Sequence, residues 1–334
     1  MKMVLFIILH ISVLQKEAVN FLNIKNNGIY IDCTFGAGGH SREILSRCEN
    51  ITLFCIDRDI SVKSNFDKLK LDFPNSDLTF IHEKFGNLAK IIADFNLVKI
   101  DGILFDFGVS SMQIDNCERG FSFQKDAPLS MQMGLNKISA HEVINSLDEV
   151  NLANIIYNYG DEKKSRIIAK SIIRERDKSP IETTLKLAEI IKKTIGRYND
   201  TIHPATRTFQ AIRIYVNDEI LEIKNAIKTV YSSANNNISC VCISFHSLED
   251  SIIKDFIKQH DKIQLLKDNF DKNYNYIQEN QVTEKSKFVH VPYFTKKLHN
   301  GVILPSKDEI KFNVRSRSAR MRAFGFIKND DFRS

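Results

Sequence analysis

The sequence predicts an α/β protein in which a mostly parallel sheet is interrupted by an all-helical insert. Short apolar runs alternate with amphipathic segments from about residue 28, strand-like runs are missing between roughly 137 and 200, and one returns in "NNNISCVCISFHS". Such alternation is typical of βαβ units, whose strands lie parallel in one sheet. The later strand indicates that the chain leaves this sheet and then rejoins it.

The first part of the sheet domain is predicted at residues 1–134. We expect strands in "GIYIDCT", "ITLFCID", "LTFIHE" and "KIDGILFDFG", because each is a short and mainly apolar run. Between them, "SREILSRC", "SVKSNFDKLKLDF" and "FGNLAKIIADFN" have the apolar spacing of amphipathic helices. Successive strands and helices of this kind predict right-handed crossovers.

The helical insert is predicted at residues 135–205, and the sheet domain resumes at 206–334. The segments "SAHEVINSLDEVNLANIIYNYG", "DEKKSRIIAKSIIRERDK" and "TTLKLAEIIKKTIG" all carry helical periodicity. "HPATRTFQAIRIYVNDE" begins in a proline turn and continues as a helix that rejoins the sheet. The stretch at about 261–287 is polar and weakly periodic, so we expect a mobile surface loop there, followed by a basic C-terminal segment.

Composition and charge narrow the class of protein. The chain has 334 residues and a formal net charge of +6, which permits an anionic partner without requiring one. The six cysteines form neither a CxxC pair nor a Cys/His cluster at zinc spacing, so we expect reduced thiols, no metal site and a cytoplasmic location. No apolar run reaches the ~18 residues of a membrane span, and "MKMVLFIIL" lacks the cleavage site of a signal peptide.

A glycine-rich turn follows the first predicted strand in "IDCTFGAGGHS". Gly36, Gly38 and Gly39 form GxGG, a weak match to the GxGxxG fingerprint of dinucleotide-binding proteins. Asp32 at the strand tip would repel a pyrophosphate, but it suits a ligand with an ammonium and a sulfonium, such as S-adenosylmethionine. Asp57, at the tip of the second strand, is placed to accept hydrogen bonds from ribose hydroxyls. An ordinary βα turn with solvated acids is the alternative.

The fourth predicted strand ends in "DGILFDFGVSSMQID". Its DFG triplet also occurs in protein kinases, but the sequence lacks the glycine-rich hairpin with its downstream lysine and the HRD loop. Asp106 falls at the carboxyl end of this strand, beside the glycine turn if the strand order is the usual one. We therefore expect group transfer to take place near Asp106.

Blocks spread over nearly the whole chain carry a resemblance to a known family. They are, in order, "HISVLQKEAV", "DCTFGAGGHS", "IDRD", "GILFDFGVSSMQID", "RGFSF", "HPATRTFQAIRIYVNDE", "SFHSLED" and "NVRSRSARMR". The sequence resembles the ribosomal RNA small-subunit methyltransferase H family, also called MraW. This resemblance implies a class I S-adenosylmethionine-dependent methyltransferase fold, a Rossmann-like sheet interrupted by a helical domain.

The resemblance also implies an activity and a set of site residues. The expected reaction is methylation of the exocyclic N4 of a cytidine in small-subunit (16S) ribosomal RNA near the decoding site, with naked RNA or a 30S particle as substrate. A homodimer is an open alternative to a monomer. The cofactor contacts that the resemblance implies fall on Gly38, Gly39, His40, Asp57, Phe85, Asp106 and Gln113. Asp32 is added to this set for its charge and position.

The expected chemistry makes Asp106 the first catalytic candidate, with Gln113 and Ser110 as helpers. The amino group of cytosine is conjugated with its ring, so its lone pair is a poor nucleophile. An acceptor close to the sulfonium would rotate the amine and take its proton. A helix cap or a loop brace is the alternative role for Asp106.

Three segments are candidates for contacts with RNA. In "ERGFSF", Arg119 with Phe121 and Phe123 is the arrangement on which an unpaired base stacks, although two phenylalanines at this spacing also fit a protein core. Near the start of "TRTFQAIRIYV", Arg207 is expected to face the substrate cleft. His246 in "SFHSLED" is expected to meet Asp250, four residues later, as a brace or an RNA contact. A hydrolase interpretation of the same block lacks the G-x-S-x-G elbow.

The basic C-terminal run suits phosphate contacts. "NVRSRSARMR" places Arg315, Arg317, Arg320 and Arg322 in a segment without an acid, so that RNA binding would depend on salt. A solvated basic surface is the alternative.

The sequence departs from the family pattern after "RGFSF". Where the family has PLDMRM, this chain has "PLSMQM", with Ser130 and Gln132 in place of an acid and an arginine. Met112 also replaces a proline of the family pattern. These changes keep a second hypothesis open, a non-catalytic RNA-binding factor of ribosome assembly. A nicotinamide oxidoreductase, which uses a similar sheet, is a third.

Overall fold

The structure, a computed structural model, describes residues 12–196, 202–235, 238–261 and 293–328. Within these ranges seven strands form one sheet. They are β1 (Ile29–Asp32), β2 (Thr52–Asp57), β3 (Asp77–His82), β4 (Gly102–Asp106), β5 (Ser239–Ser244), β6 (Tyr293–Lys297) and β7 (Arg320–Lys328). Their order is β3-β2-β1-β4-β5-β7-β6.

The first five strands are parallel, and their carboxyl ends lie at one edge. Asp32 at the end of β1 is in register with Cys55 in β2 and with Leu104 in β4. Strand β7 runs antiparallel to β5 and β6. The order reverses direction between β1 and β4, which is where open α/β sheets bind their ligands.

Helices cover both faces of the sheet. They are α1 (Gln15–Leu22), α2 (Gly39–Leu45), α3 (Lys63–Asp72) and α4 (Leu88–Asp94), with the short α5 (Ser111–Asp115) at the edge. Alternate residues of each strand enter different cores: Leu53 packs with α1, α2 and α3, whereas Phe54 packs on the opposite face. This three-layer arrangement confirms the predicted fold class.

The helical part forms a separate core. It contains α6 (Ala140–Ser146), α7 (Glu149–Gly160), α8 (Ser165–Arg176), α9 (Thr184–Ile195) and α10 (Thr206–Val216). Its buried cluster extends from Leu129 to Val216, beyond the predicted insert at both ends. Helix α10 therefore packs with the insert, and the division at 134 and 205 stays a prediction.

Two polar side chains connect the helical part to the sheet. Arg58, after β2, donates from Nε to the carbonyl of Gly134 at 2.7 Å and from Nη1 to the carbonyl of Asn217 at 2.9 Å. The Asn217 side chain in turn accepts from Met133 N at 2.9 Å and donates to the carbonyl of Met131 at 2.8 Å. These buried bonds fix the position of the insert relative to the end of β2.

The chain returns to the sheet through α11 (Glu219–Ser232), and α12 (Ser247–Gln259) follows β5. No helix within the described ranges is long and apolar enough to cross a membrane. The predicted loop at about 261–287 lies, apart from Asp261, outside the described residues, as do residues 1–11.

Candidate functional site

A cleft of about 360 Å³ opens at the carboxyl edge of β1, β2 and β4. The predicted site residues that line it are His40, Asp57, Phe85, Asp106, Ser110, Gln113 and Arg315. The predicted site residues that do not line it are Asp32, Gly38, Gly39, Arg119, Phe121, Phe123, Arg207, His246, Arg317 and Arg320. The structure thus brings most of the predicted cofactor group together with the predicted catalytic residues.

The glycine turn is shaped mainly by packing within the protein. Gly38 has φ +78°, and a Cβ there would lie 2.9 Å from the ring of Phe35. A Cβ on Gly39 would collide with the side chain of Ser12. Side chains of the protein therefore occupy the space in which a side chain at either glycine would lie, and the cofactor contacts of Gly38 and Gly39 stay a prediction. Gly36, at φ +53°, is the glycine of the turn that lines the cleft.

Asp32 is fully buried behind the turn. Its Oδ2 accepts a 2.7 Å hydrogen bond from Ser41 Oγ, and its Oδ1 accepts a 3.2 Å bond from Thr34 N. Burial raises the pKa of Asp32 to about 6, although both bonds act in the opposite direction. Through Ser41, Asp32 joins β1 to α2, and its direct contact with a cofactor stays a prediction.

Asp57 connects the end of β2 to the glycine turn. Its Oδ2 accepts a 2.8 Å bond from Gly36 N, and its Oδ1 accepts a 2.8 Å bond from Asp59 N. Burial raises the pKa of Asp57 to about 6, and the charges of Asp59 and Asp32 add to this rise. A carboxylate has about four acceptor positions, so lone pairs remain for hydroxyl groups in the cleft.

Asp106 carries a buried acceptor without a partner. Its N–H donates to Thr34 Oγ1 at 2.7 Å, whereas its Oδ1 accepts no hydrogen bond within the described part of the chain. Burial raises the pKa of Asp106 well above its usual range, and the charges of Asp32 and Glu249 raise it further. The side chain as a whole is 24% exposed, so a ligand in the cleft can reach it.

His40 lies beside Asp106 as a neutral imidazole. Its Nε2 is 3.0 Å from the Val13 carbonyl, and its Nδ1 is 3.9 Å from Asp106 Oδ2. Burial lowers the pKa of His40 to about 4. Since the carbonyl can only accept, we assign the ring proton to Nε2, which leaves a lone pair on Nδ1 facing Asp106. The lone pair on Nδ1 favours the protonated form of Asp106 while no cation is near.

Ser110 and Gln113 form a capping box at the start of α5. Gln113 N donates to Ser110 Oγ at 3.2 Å, and Ser110 N donates to Gln113 Oε1 at 3.1 Å. Gln113 Nε2 donates to Asp59 Oδ2 at 3.0 Å. The amide of Gln113 is thus occupied in holding the loop after Asp106, and a direct catalytic role for either residue stays a prediction.

Phe85 forms an aromatic wall of the cleft. Its ring centroid lies 5.9 Å from that of Phe105 and 5.8 Å from that of Phe107. Such contacts hold the ring in one orientation and keep this side of the cleft apolar. The position suits an apolar face of a ligand, and the cofactor contact of Phe85 stays a prediction.

A buried charge network, not anticipated from the sequence, forms another wall. Arg213 donates from Nε and Nη2 to the two carboxylate oxygens of Glu219, both at 2.8 Å. Glu249 lies 3.1 Å from His246 Nε2 and accepts a 2.7 Å bond from Phe245 N. Burial would raise the pKa of Glu249, but His246, Arg213 and the Phe245 N–H outweigh burial and lower it.

The same network contains a metal-like cluster. Ligand-type atoms of Glu219, His246 and Glu249 all lie within 4.8 Å of one another. However, Arg213 already binds Glu219 through two bonds, and its positive charge opposes a second cation. The arrangement therefore suits a self-balanced ionic group better than a metal site.

His246 does not meet Asp250, contrary to the sequence prediction. It is the N-cap of α12 and pairs with Glu249, three residues on, in a capping box. Asp250 instead accepts bonds of 2.6 and 2.9 Å from Arg322. Because the side chain of His246 is only 10% exposed, a direct RNA contact would require rearrangement.

Arg119 is held by intramolecular bonds. It donates to Asp59 Oδ2 at 2.8 Å and to the carbonyl of Gln132 at 2.8 Å. Burial would raise the pKa of Asp59, but Gln113, Ser61 and Arg119 outweigh it and lower the pKa. The predicted RNA contact of Arg119 must therefore compete with these bonds.

The two phenylalanines of "RGFSF" both pack against the helical core. The ring of Phe123 lies 4.7 Å from the rings of His203 and Phe209, and Phe121 lies 5.9 Å from the guanidinium of Arg119. These contacts agree with core packing, the alternative that the sequence left open. Base stacking by Phe121 and Phe123 stays a prediction without support from their positions.

Arg207 lies in the first turn of α10 and is half-buried. It belongs to the helical part, away from the residues that line the cleft. Its predicted RNA contact is untested by this position.

The basic C-terminal run is partly neutralised by acids from distant segments. Arg315 pairs with Asp115, and Arg320 lies 3.6 Å from Asp250. Arg317 is exposed. Of these arginines, Arg315 lines the cleft. The run itself contains no acid, and the acids that pair with it come from elsewhere in the chain.

The departure "PLSMQM" leaves no unpaired charge. Ser130 Oγ donates to Gln132 Oε1 at 3.4 Å, and Gln132 Nε2 donates to the carbonyl of Ile138 at 3.1 Å. The main-chain carbonyl of Gln132 accepts a hydrogen bond from Arg119. The substituted pair therefore still ties its loop to the cleft edge.

Comparisons with known proteins found relatives that match nearly the whole chain. The chain is 41% identical to "Ribosomal RNA small subunit methyltransferase H" of Wolbachia sp. subsp. Drosophila simulans (strain wRi), over 94% of this chain and 98% of that protein. It is 42% identical to the protein of the same name from Clostridium botulinum (strain Kyoto / Type A2), over 94% of this chain and 97% of the relative.

A solved rRNA methylase from Streptococcus thermophilus matches 33% of this chain and 66% of its own with 14% identity and a TM-score of 0.24, too little to support an argument. The family model described as "MraW methylase family" matches residues 7–327. With this match and relatives of about this identity over nearly its full length, the chain belongs to the MraW methylase family.

Proposed function

We propose that the protein transfers a methyl group from S-adenosylmethionine to the exocyclic N4 of a cytidine in small-subunit ribosomal RNA, near the decoding site. Family membership supports methyl transfer, and the names of the relatives support an RNA substrate. The single observation that carries the assignment to an amino group is the carboxylate of Asp106, which lines the cleft, is partly exposed to it and has no hydrogen-bond donor on its buried Oδ1 within the described residues. A cytoplasmic location follows from the proposed substrate.

The residues of the cleft fit the methyl donor. Asp57 offers free lone pairs for ribose hydroxyls, Gly36 leaves open space, and Phe85 supplies an apolar surface. Burial raises the pKa values of Asp57 and Asp106, and a positive charge placed beside them would favour their ionised forms. A cationic ligand supplies that charge. When bound, S-adenosylmethionine provides a methyl group activated by its sulfonium.

Asp106 is the acceptor for the amino group. The exposed part of its carboxylate accepts an N4–H, which holds the amine out of conjugation with the ring, and takes up its proton as the new bond forms. Thr34 fixes the main chain of Asp106, and the capping box of Ser110 and Gln113 holds the loop that follows. Neutral His40 faces Oδ2 of this carboxylate without contributing a competing charge.

RNA binding is assigned to Arg315 and Arg317 at the rim. Arg315 lines the cleft, and Arg317 is exposed two residues away. Their charges are placed to contact phosphates on either side of a nucleotide that enters the cleft. The substrate is naked ribosomal RNA or a small subunit, and either fits this placement.

The function is tested by transfer of labelled methyl from S-adenosylmethionine to small ribosomal subunits that lack the modification, followed by nucleoside analysis. We expect the label in N4-methylcytidine. Label in another nucleoside would contradict the assignment to N4. Binding of the subunits without transfer would favour a non-catalytic assembly factor.

A further inference from the structure

Two large apolar side chains are exposed beside the cleft. Phe312 ends the helix Lys307–Phe312 and is 85% exposed, and Val314 begins the 3₁₀ turn Val314–Ser318 and is 67% exposed. Single exposed apolar residues are common on protein surfaces. These two differ because they flank Asn313, which lines the cleft together with Arg315.

The segment that carries them is held on both sides. Leu14 N donates to Glu309 Oε1 at 2.8 Å, which fixes the helix before Phe312. Arg315 pairs with Asp115 of α5, and the buried Ser316 donates to the carbonyl of Asn313 at 2.7 Å. Phe312 is therefore displayed by an ordered backbone, so little entropy is lost when a ligand covers it.

The charge around Phe312 favours a polyanion. Residues 307–322 contain six basic side chains, Lys307, Lys311, Arg315, Arg317, Arg320 and Arg322, against two acidic ones, Asp308 and Glu309. Two further acids contact the segment from elsewhere in the chain, Asp115 at Arg315 and Asp250 at Arg320 and Arg322. With these included, the six basic side chains still exceed the four acids, and Arg317 is exposed. An exposed aromatic ring among arginines is the combination that binds single-stranded nucleic acid through stacking and phosphate contacts.

We propose that Phe312 stacks on an RNA base next to the cytidine that enters the cleft, with Val314 against the edge of that base. The inference rests on the proposed function, and it adds a stacking contact to the phosphate contacts of Arg315 and Arg317. Stacking on the rim would hold the neighbouring nucleotide outside while the target cytidine enters the cleft.

The test compares Phe312→Ala and Phe312→Tyr with Val98→Ala. Val98 is 86% exposed and precedes β4, so it lies at the opposite edge of the sheet from the cleft. Dissociation constants are measured for unmodified small ribosomal subunits and, separately, for S-adenosylhomocysteine. We expect Phe312→Ala to weaken subunit binding about tenfold with S-adenosylhomocysteine binding unchanged. Phe312→Tyr and Val98→Ala should stay within about twofold of the wild type.

A second measurement reports stacking directly. Subunits are reconstituted with rRNA transcribed with 5-iodouridine, irradiated with the protein and digested, and we expect a cross-link on the peptide that contains Phe312. The inference is overturned if Phe312→Ala binds subunits with wild-type affinity, or if its affinity falls equally for subunits and for S-adenosylhomocysteine. It is also overturned if the variant changes the oligomeric state and leaves subunit binding unchanged. If the wild-type protein binds subunits through Phe312 but transfers no methyl group, the proposed function fails and this inference stands.

Discussion

The main-chain N–H of Asp106 donates a 2.7 Å hydrogen bond to the side-chain hydroxyl of Thr34. This bond joins the end of β4 to the loop after β1, so the acceptor carboxylate and the glycine turn keep a fixed separation. Thr34 contributes no charge to the reaction. Its effect on catalysis is through the position of Asp106.

Replacing Thr34 by valine should show whether Thr34 acts on catalysis by positioning Asp106. Valine keeps the shape but leaves the Asp106 N–H without its acceptor, which costs roughly 1–2 kcal/mol of unfolding free energy. We expect kcat to fall while the Kd for S-adenosylhomocysteine changes little. Thr34→Ser, which retains the hydroxyl, is the control for urea unfolding and for kcat. Equal kcat in Thr34→Val and the wild type would refute the positioning role.

Arg119 should prove more important for folding than for RNA. Arg119→Ala leaves the buried Asp59 without its cationic partner, and we expect a loss of roughly 1–3 kcal/mol in unfolding free energy. Urea unfolding measures this loss, and filter binding measures the affinity for small subunits. If the variant keeps wild-type stability but binds RNA much more weakly, the prediction is wrong and Arg119 contacts RNA.

The pKa of Asp57 predicts a pH-dependent stability. The folded pKa is raised from 3.8 to about 6, so below about pH 4 its contribution is fully present, and it is lost as the pH rises through about 6. His40, whose folded pKa is lowered to about 4, acts in the opposite direction, because its contribution appears above the unfolded value.

Comparison with Asp57→Asn isolates the carboxylate. From pH 4 to pH 7 we expect the wild type to lose on the order of 2 kcal/mol of unfolding free energy relative to this variant, measured without ligand in urea. His40 is present in both proteins, so its contribution cancels in the difference. A difference that is constant with pH would show that Asp57 titrates normally.

Charge reversal at the rim should affect RNA selectively. In the double variant Arg315→Glu and Arg317→Glu we expect subunit affinity to fall at least about tenfold and the salt dependence of log Kd to weaken. S-Adenosylhomocysteine affinity should remain within about twofold of the wild-type value. Lys224→Glu with Lys228→Glu on the exposed side of α11 is the matched control. Parallel losses of both ligands would indicate damage to the fold instead.

Local patterns in the sequence were sufficient for the five parallel strands and for the acids at their ends, whereas the antiparallel strands β6 and β7 were not predicted. Asp57 and Asp106 end apolar strands, and parallel strands bring such ends together. The bridge from Arg315 to Asp115 spans 200 residues and that from Arg322 to Asp250 spans 72, so no local pattern predicts them.

The partner of His246 also could not be predicted from helical spacing alone. Helical spacing allows both Glu249 and Asp250 as partners, and the capping box, visible in "HSLE", selects Glu249. The surroundings of the glycine turn could not be predicted either, because Phe35 and Ser12 occupy the space beside Gly38 and Gly39. Side-chain packing of this kind depends on the tertiary structure.

The central claim, that Asp106 accepts the cytidine amino group, is tested most directly by the single-turnover rate of Asp106→Asn on unmodified small subunits. Asparagine keeps an acceptor oxygen but cannot take up the proton. We predict a rate reduced about a hundredfold or more, with subunit and S-adenosylhomocysteine affinities within a few-fold of the wild type. A wild-type rate of N4-methylcytidine formation in this variant would contradict the account.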